Sequence, residues 1–393
     1  MNSINQLRYI TIIGQASLED THGGATRLRT MIDFFRSMGL SVNLITYSFY
    51  SDHYGVEKKN IDTDFYATTI HVPNNLPKLI KGFSVITMLK YAWKPAKRGD
   101  LLFTNFRCVI SSVPTIILSK IFNKPVISDY LDIDPLIPDA IYRYVAQNSD
   151  IIFAISPQLT QKAKAYGCKN AYYISNFVDV ERFRVFDEKR NQRRVELGIK
   201  NQDIVIGYAG SFWFVEGIPV LMNAFNELKN TYPNIKLAIM GGVNSTDIDT
   251  DVEKLVKEMG LEDRVILIPR QKGEDVPEFL SAFDILCCPK INCDVNRLII
   301  PVKIIEYLSM GLPTIASAVG GICDVICDKQ DGLLVAPGDV ESLKNAIEWV
   351  LLNPTKAEVI GKNGRKTAID YYSLEAIDNM IKQAIEQLEL KNK

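Results

Sequence analysis

Short runs of β-branched and apolar residues alternate along this chain with stretches that place apolar positions every three or four residues. In the first half the runs are YITIIG, SVNLITY, FYATTIHV, DLLFTN, PVISDY, DIIFAIS and AYYIS; in the second they are DIVIGYAG, KLAIMGG, VILIP, DILCCP, PTIAS and GLLVAP. Strands buried on both faces read as continuous apolar runs, and helices between them supply right-handed crossovers. The pattern predicts an α/β chain of two doubly wound parallel-sheet, Rossmann-like domains, whose ligand edges lie at the carboxyl ends of the strands. Facing each other, two such edges would form a cleft. GIPVLMNAFNEL is a clear helix, with Ile218, Leu221, Met222, Phe225 and Leu228 on one face and Pro219 at a start position.

Periodicity gives way to the polar stretch NFVDVERFRVFDEKRNQRRVELG at roughly residues 176–200, which sets domains at 1–185 and 186–372. The remainder, 373–393, predicts an amphipathic helix with Ser373 as its N-cap and Ile377, Ile381, Ala384 and Leu388 on one face. Such a helix needs a surface to lie on.

Composition narrows the class. The chain has 393 residues, 47% apolar and 23% charged, which is more than one ordinary core and typical of a soluble globular protein. A formal net charge of −1 provides no field to recruit nucleic acid. The start, MNSINQLRYITIIG, does not read as a signal peptide, and VISSVPTIILSKIF (109–122) is too short and polar to span a bilayer. Seven cysteines are then expected as free, buried thiols in a reducing cytosol. Cys287, Cys288, Cys293, Cys323 and Cys327 lack paired Cys-x-x-Cys spacing, and the acidic stretches DID (132–134) and TDIDTD (246–251) are too short a signal for a bound metal.

Two turns carry candidate chemistry. DIVIGYAG runs into SFWFVEG and a helix, with Gly207, Gly210 and Gly217 allowing close backbone approach; HGGATRLR repeats the arrangement with Gly23, Gly24 and Arg27. In PVKIIEYLSMGLPTIAS, Pro301 opens a helix that carries Lys303 and Glu306 three residues apart on an otherwise apolar segment. One reading is a solvent-exposed ion pair. The other has Lys303 and the helix start holding a pyrophosphate while Glu306 accepts hydrogen bonds from ribose hydroxyls.

GYAGSFWFVEGIPVLMNAF, PVKIIEYLSMGLPTIASAVGG and DGLLVAPGD together resemble the C-terminal domain of nucleotide-sugar-dependent glycosyltransferases of the GT-B fold, family four, the retaining enzymes. HGGATRLRTMIDFFRSMGLSVNLIT and ISNFVDVERF are similar to that family's N-terminal helix and interdomain segment. The resemblance implies GT-B architecture with the final helix crossing back onto the N-terminal domain. It implies that Glu306 binds ribose, that Gly23 and Gly24 approach the diphosphate and sugar, and that Gly210 and Ser211 line the second loop. Where many members have a second glutamate this chain has Leu298, and Ser211 and Glu216 replace the phosphate-loop cations; it fits a subgroup with a P-x-K-x-x-E-Y helix. Phosphate charge is then expected from Lys303 first, with Arg297 and Arg270 in reserve. Asp132 fills the family's aspartate position near the anomeric carbon or acceptor hydroxyl, or else caps a turn; Leu131 takes the basic place beside it, and Asp129 matches an acidic position of the subgroup.

The implied activity is sugar transfer from a nucleotide-diphosphate donor to a glycan or lipid-linked acceptor, as in polysaccharide or lipopolysaccharide biosynthesis, with Asp132, Lys303 and Glu306 catalytic and no obligatory cofactor or metal. A nucleotide-sugar 2-epimerase and a non-catalytic nucleotide-sugar-binding scaffold are the alternatives. Phe65 to Gly99 contains no acidic residue but carries Lys78, Lys81, Lys90, Lys94, Lys97 and Arg98 among Ile80, Phe83, Ile86, Met88 and Trp93. Segment 78–98 therefore reads either as a solvated basic face or as a contact with an anionic membrane, which would place a cytoplasmic protein on the inner face of the plasma membrane.

Overall fold

The computed structural model describes residues 7–15, 23–51, 54–73, 78–106, 109–131, 137–243 and 249–388. It divides into two compact units, Met1–Ser175 with Asp378–Lys393, and Asn176–Ile377. Each has its own sheet.

The first unit contributes β1 (Tyr9–Gly14), β2 (Ser41–Ser51), β3 (Gly55–Asp62), β4 (Phe65–Pro73), β5 (Leu101–Phe106), β6 (Val126–Tyr130), β7 (Ile151–Ala154) and β8 (Ala171–Tyr173). Among the described residues their order is β3-β4-β2-β1-β5-β6-β7-β8. Ile12 of β1 faces Leu44 on one side and Phe103 on the other, so the strand order reverses at β1. The expectation of a wholly parallel sheet fails at one edge, where β3 pairs antiparallel with β4. GVEKKNID is largely exposed and charged, as a solvent-facing edge strand tends to be, and it carries no apolar run by which to read it.

The second unit contributes β9 (Ile204–Ser211), β10 (Ile235–Gly242), β11 (Val265–Pro269), β12 (Ile285–Cys288), β13 (Thr314–Ser317) and β14 (Leu333–Val335), all in parallel pairs, in the order β11-β10-β9-β12-β13-β14. Helix Ile218–Leu228 buries its predicted face, Ile218, Leu221, Met222, Phe225 and Leu228, in a cluster with Ile206, Tyr208, Leu237 and Ile239. Each such side chain contributes about 1.5–3 kcal/mol by leaving water.

Helix Leu374–Glu386 starts as predicted: Ser373 Oγ accepts a hydrogen bond from the Ala376 amide at 3.1 Å. Its apolar positions Ile377, Ile381, Ala384 and Leu388 are buried. No described helix is long and apolar enough to cross a membrane. The thiols depart from expectation. Cys168, Cys287 and Cys288 are buried and free, whereas Cys293 is half-buried and Cys323 and Cys327 are exposed. Around the last two, Ile322, Val325 and Ile326 take the buried positions and leave the cysteines outside.

Candidate active site

The second unit builds a polar cluster at the carboxyl end of β9, beside the place where the strand order reverses between β10 and β12. After Ser211 the chain makes one short helical turn, Phe214–Glu216, and enters helix Ile218–Leu228 through Gly217. Gly217 has φ +72°, and any Cβ there would overlap the Pro289 carbonyl oxygen, so only glycine fits. The turn directs Glu216 inward. Its Oε2 accepts from Lys303 Nζ at 2.8 Å and its Oε1 from Lys290 Nζ at 3.0 Å.

Lys290 follows β12 and is 2% exposed; it also donates to Asn296 Oδ1 at 3.1 Å. Asn296 Nδ2 in turn donates to the carbonyls of Val215 and Ile291, fastening the loop after β12 to the Glu216 turn. Lys303, on helix Val302–Met310, donates to the Tyr208 hydroxyl at 3.0 Å, with its ammonium 4.4 Å from that ring's centroid. The Tyr208 hydroxyl in turn donates a hydrogen bond to the Ser211 carbonyl at 2.6 Å. The β9–β12 ladder ends at Gly207, which leaves Ala209 without a strand partner on that side. Tyr307 supplies one: its hydroxyl accepts from the Ala209 amide at 2.7 Å and donates to the Ala209 carbonyl at 3.0 Å.

Charge and burial act against each other throughout. Burial alone would raise the Glu216 carboxyl, but the ammoniums of Lys303 and Lys290 outweigh it and hold the group down to about 2. Burial opposes the charge of Lys303 as well, and the Glu216 carboxylate overcomes it, so the lysine stays protonated well above its ordinary range. Glu306 differs. Burial pushes it up to about 7, only partly offset by Lys303 and Arg182, and it has no hydrogen bond or ion pair among the described residues.

The exposed Lys303–Glu306 pair is therefore overturned: the Lys303 side chain is 13% exposed and its carboxylate partner is Glu216. Gly210 is brought to Lys303, since a Cβ there would overlap Lys303 Nζ, and Ser211 is linked to the lysine through the Tyr208 hydroxyl. The reserve cations are held elsewhere. Arg270 donates to the carbonyls of Gly242 and Val243, and Arg297 to Asn292 and Asp294 on an exposed short helix. In the first unit Gly23 and Gly24 open helix Gly23–Ser37. That helix carries Arg27, 3% exposed, whose guanidinium forks onto Asp129 (Nε–Oδ2 2.9 Å, Nη2–Oδ1 2.7 Å) and caps the carbonyls of Ile174 and Ser175. Asp132 lies outside the described residues, as do DID and the first half of TDIDTD; of the latter, Asp251 caps helix Val252–Glu258 by accepting from the Lys254 amide. The Leu298 side chain is also outside them. Sequence reading missed Lys290, Asn296, Tyr208 and Tyr307. Lys290, one charge directly after the apolar DILCCP, was the available signal.

The likeness of the whole chain to solved structures defines its class: it has the two-domain GT-B fold. Sucrose-phosphate synthase from Thermosynechococcus elongatus superposes with a TM-score of 0.77 at 22% identity, covering 97% of this chain and 98% of that one. Anabaena Alr3699/HepE, solved with UDP and glucose, superposes at 0.76 and 17% identity, covering 98% and 100%. Within this fold, residues 189–367 match the family described as glycosyl transferases group 1. The D-inositol 3-phosphate glycosyltransferase of Saccharomonospora viridis is 27% identical over 50% of this chain and 45% of its own length. The GDP-mannose-dependent alpha-(1-6)-phosphatidylinositol monomannoside mannosyltransferase of Mycolicibacterium smegmatis is 24% identical over 58% and 60%. The chain thus spans about half the length of the curated relatives it matches.

Proposed function

We propose that this chain transfers a glycosyl group from a nucleotide-diphosphate sugar to a glycan or lipid-linked acceptor in cell-surface polysaccharide or lipopolysaccharide biosynthesis, with retention at the anomeric carbon. The observation that carries this reading is the half-buried ammonium of Lys303 lying against Gly210 at the carboxyl edge of the second sheet. Support comes also from the group 1 match over 189–367, from HepE having been solved with UDP-glucose, and from the GDP-mannose dependence of one relative.

As the bond from the anomeric carbon to the diphosphate oxygen breaks, negative charge grows on the leaving group and the sugar takes on oxocarbenium character. Lys303 and the first amides of helix Val302–Met310 stabilise that charge, an arrangement fixed before the reaction begins. The acceptor oxygen forms the new bond to the anomeric carbon as the bond to the diphosphate breaks, and its proton passes to the Asp132 carboxylate, which also orients the hydroxyl. Glu306 accepts hydrogen bonds from the ribose. In this scheme fixed positive groups do the neutralising, so no metal is obligatory.

A second part of the proposal concerns helix Lys78–Arg98. Ile86 and Trp93 are 62% and 44% exposed, and Lys90, Lys94 and Lys97 are exposed around them. Trp93 meets Phe122 edge-to-face at 5.0 Å, beside the exposed Ile121. Apolar tips ringed by cations fit an anionic lipid surface, which would deliver a lipid-linked acceptor at the cytoplasmic face. The side chains of Lys78 and Lys81 lie outside the described residues.

A thermal-shift screen against nucleotide sugars, followed by turnover assays on the stabilising donor, tests the main reading. A donor that raises the melting temperature of the wild type but not of Glu306→Ala, and is consumed, supports it. No shift with any donor overturns it. Binding without transfer or hydrolysis favours a non-catalytic binding subunit.

A further inference from the structure

The cluster on the second sheet holds one cation more than its carboxylate neutralises. Glu216 brings one negative charge and commits its two oxygens to different ammoniums. Of the three side chains, Lys290 is the least exposed at 3%, Glu216 follows at 10%, and Lys303 is the most exposed at 13%. Lys290 looks inward, with protons on Glu216 and on Asn296 Oδ1. Lys303 spends two protons on Glu216 and Tyr208 and lies against Gly210. A single buried ammonium–carboxylate pair is neutral and has no net attraction for an anion. Glu306, one helical turn beyond Lys303, makes no bond to it, and its burial favours the neutral acid.

We infer that Lys290 is a positioning residue that neutralises Glu216 from behind, so that the charge of Lys303 stays available to the donor diphosphate. The inference rests on the reading that a diphosphate binds at Gly210 and Lys303. It explains how a glutamate can stand in a phosphate-binding turn. Glu216 holds Lys303 in place, and Lys290 cancels the charge that Glu216 would otherwise subtract.

Calorimetric titration of the full chain with inorganic pyrophosphate at low salt tests the idea. Lys290→Met leaves one cation and one carboxylate, and is expected to weaken binding about tenfold or more. Lys290→Met/Glu216→Gln removes both charges, restores a net cation, and is expected to bind within about threefold of wild type. A merely structural role predicts no such rescue. Unchanged binding in Lys290→Met, or a folded double variant as weak as the single one, overturns the inference. Should the single variant fail to fold, the double variant carries the test alone, and a tenfold loss in it is the overturning result. Failure of the underlying reading looks different: wild type would not bind pyrophosphate, or Lys303→Met would bind it equally well.

Discussion

Glu216 and Lys303, 87 positions apart in the chain, meet at 2.8 Å between the turn after β9 and the helix that starts at Val302. This contact fixes the lysine, and its carboxylate is the most strongly stabilised acid of the cluster. Because the Glu216 carboxyl is held at about 2 in the folded protein against an ordinary value of 4.5, its contribution is complete above pH 4.5 and disappears as pH falls from there toward 2. Acid titration of urea stability should therefore show wild type losing its advantage over Glu216→Gln across that window. Parallel curves would contradict the pairing. At neutral pH, Glu216→Ala strands one buried and one half-buried ammonium and should cost about 3–5 kcal/mol.

Glu306 predicts the opposite slope. Its folded value of about 7 lies above the ordinary 4.5, so the folded state holds the proton longer and loses stability as pH rises from 4.5 to 7. Glu306→Gln lacks that loss. Its stability relative to wild type should rise with pH between about 4.5 and 7, by about 1.4 kcal/mol per pH unit at the steepest, and level off above. Donor binding to wild type should strengthen over pH 6 to 8, since hydroxyl donors favour the carboxylate. Flat profiles in both measurements would remove Glu306 from the ribose role.

Two glycines on the same turn should separate binding from folding. Both have positive φ, +157° at Gly210 and +72° at Gly217, but a Cβ on Gly210 meets the side-chain ends of Lys303 and Tyr208, whereas one on Gly217 meets the Pro289 backbone. Gly210→Ala should cost about 1–2 kcal/mol from its φ of +157°, less than Gly217→Ala, and weaken donor binding about tenfold or more. Gly217→Ala should cost about 1–2 kcal/mol from its φ alone, and more from the clash. Equal effects of the two on stability would refute the distinction.

In the first unit the Arg27–Asp129 fork is nearly sealed from solvent, at 2% and 1% side-chain exposure. Removing one partner alone, as in Arg27→Met or Asp129→Ala, should destabilise the protein by about 3–5 kcal/mol in chemical denaturation. Arg27→Lys should recover only part of this, because an ammonium cannot fork onto Asp129 while also capping Ile174 and Ser175. A loss below about 1 kcal/mol would mean that water reaches the pair in solution.

Sedimentation with vesicles tests the membrane proposal for helix Lys78–Arg98. Wild type should pellet with phosphatidylserine-containing vesicles and not with neutral ones. Replacing Lys90, Lys94 and Lys97 with glutamine should remove about 3 kcal/mol of attraction. Binding that ignores these changes would end the membrane proposal.

Elements that bury a full face were legible in the sequence because burial imposes a period. Helix Ile218–Leu228 and the central strands are of this kind. The edge strand β3 escaped because GVEKKNID answers to water on one side and to the β4 backbone on the other, neither of which demands apolar residues. Lys303 and Glu306 drew notice as charges on an apolar helix, but the partners of Lys303 are set by the crossing of separate elements. Nothing near Glu216 in the chain announces Lys290, 74 positions away, or Lys303. The tyrosines were hidden for a related reason: Tyr208 and Tyr307 resemble core aromatics until their hydroxyls are traced to Ser211 and Ala209.

The double hydrogen bond from Tyr307 to Ala209 joins the helix carrying Lys303 and Glu306 to the central strand of its own sheet. That wall of the site is tied to both backbone polar groups of Ala209. Under the proposed function, a donor lying against this wall would meet a helix anchored to backbone, so that discrimination there would come from fit and adaptation from the guest.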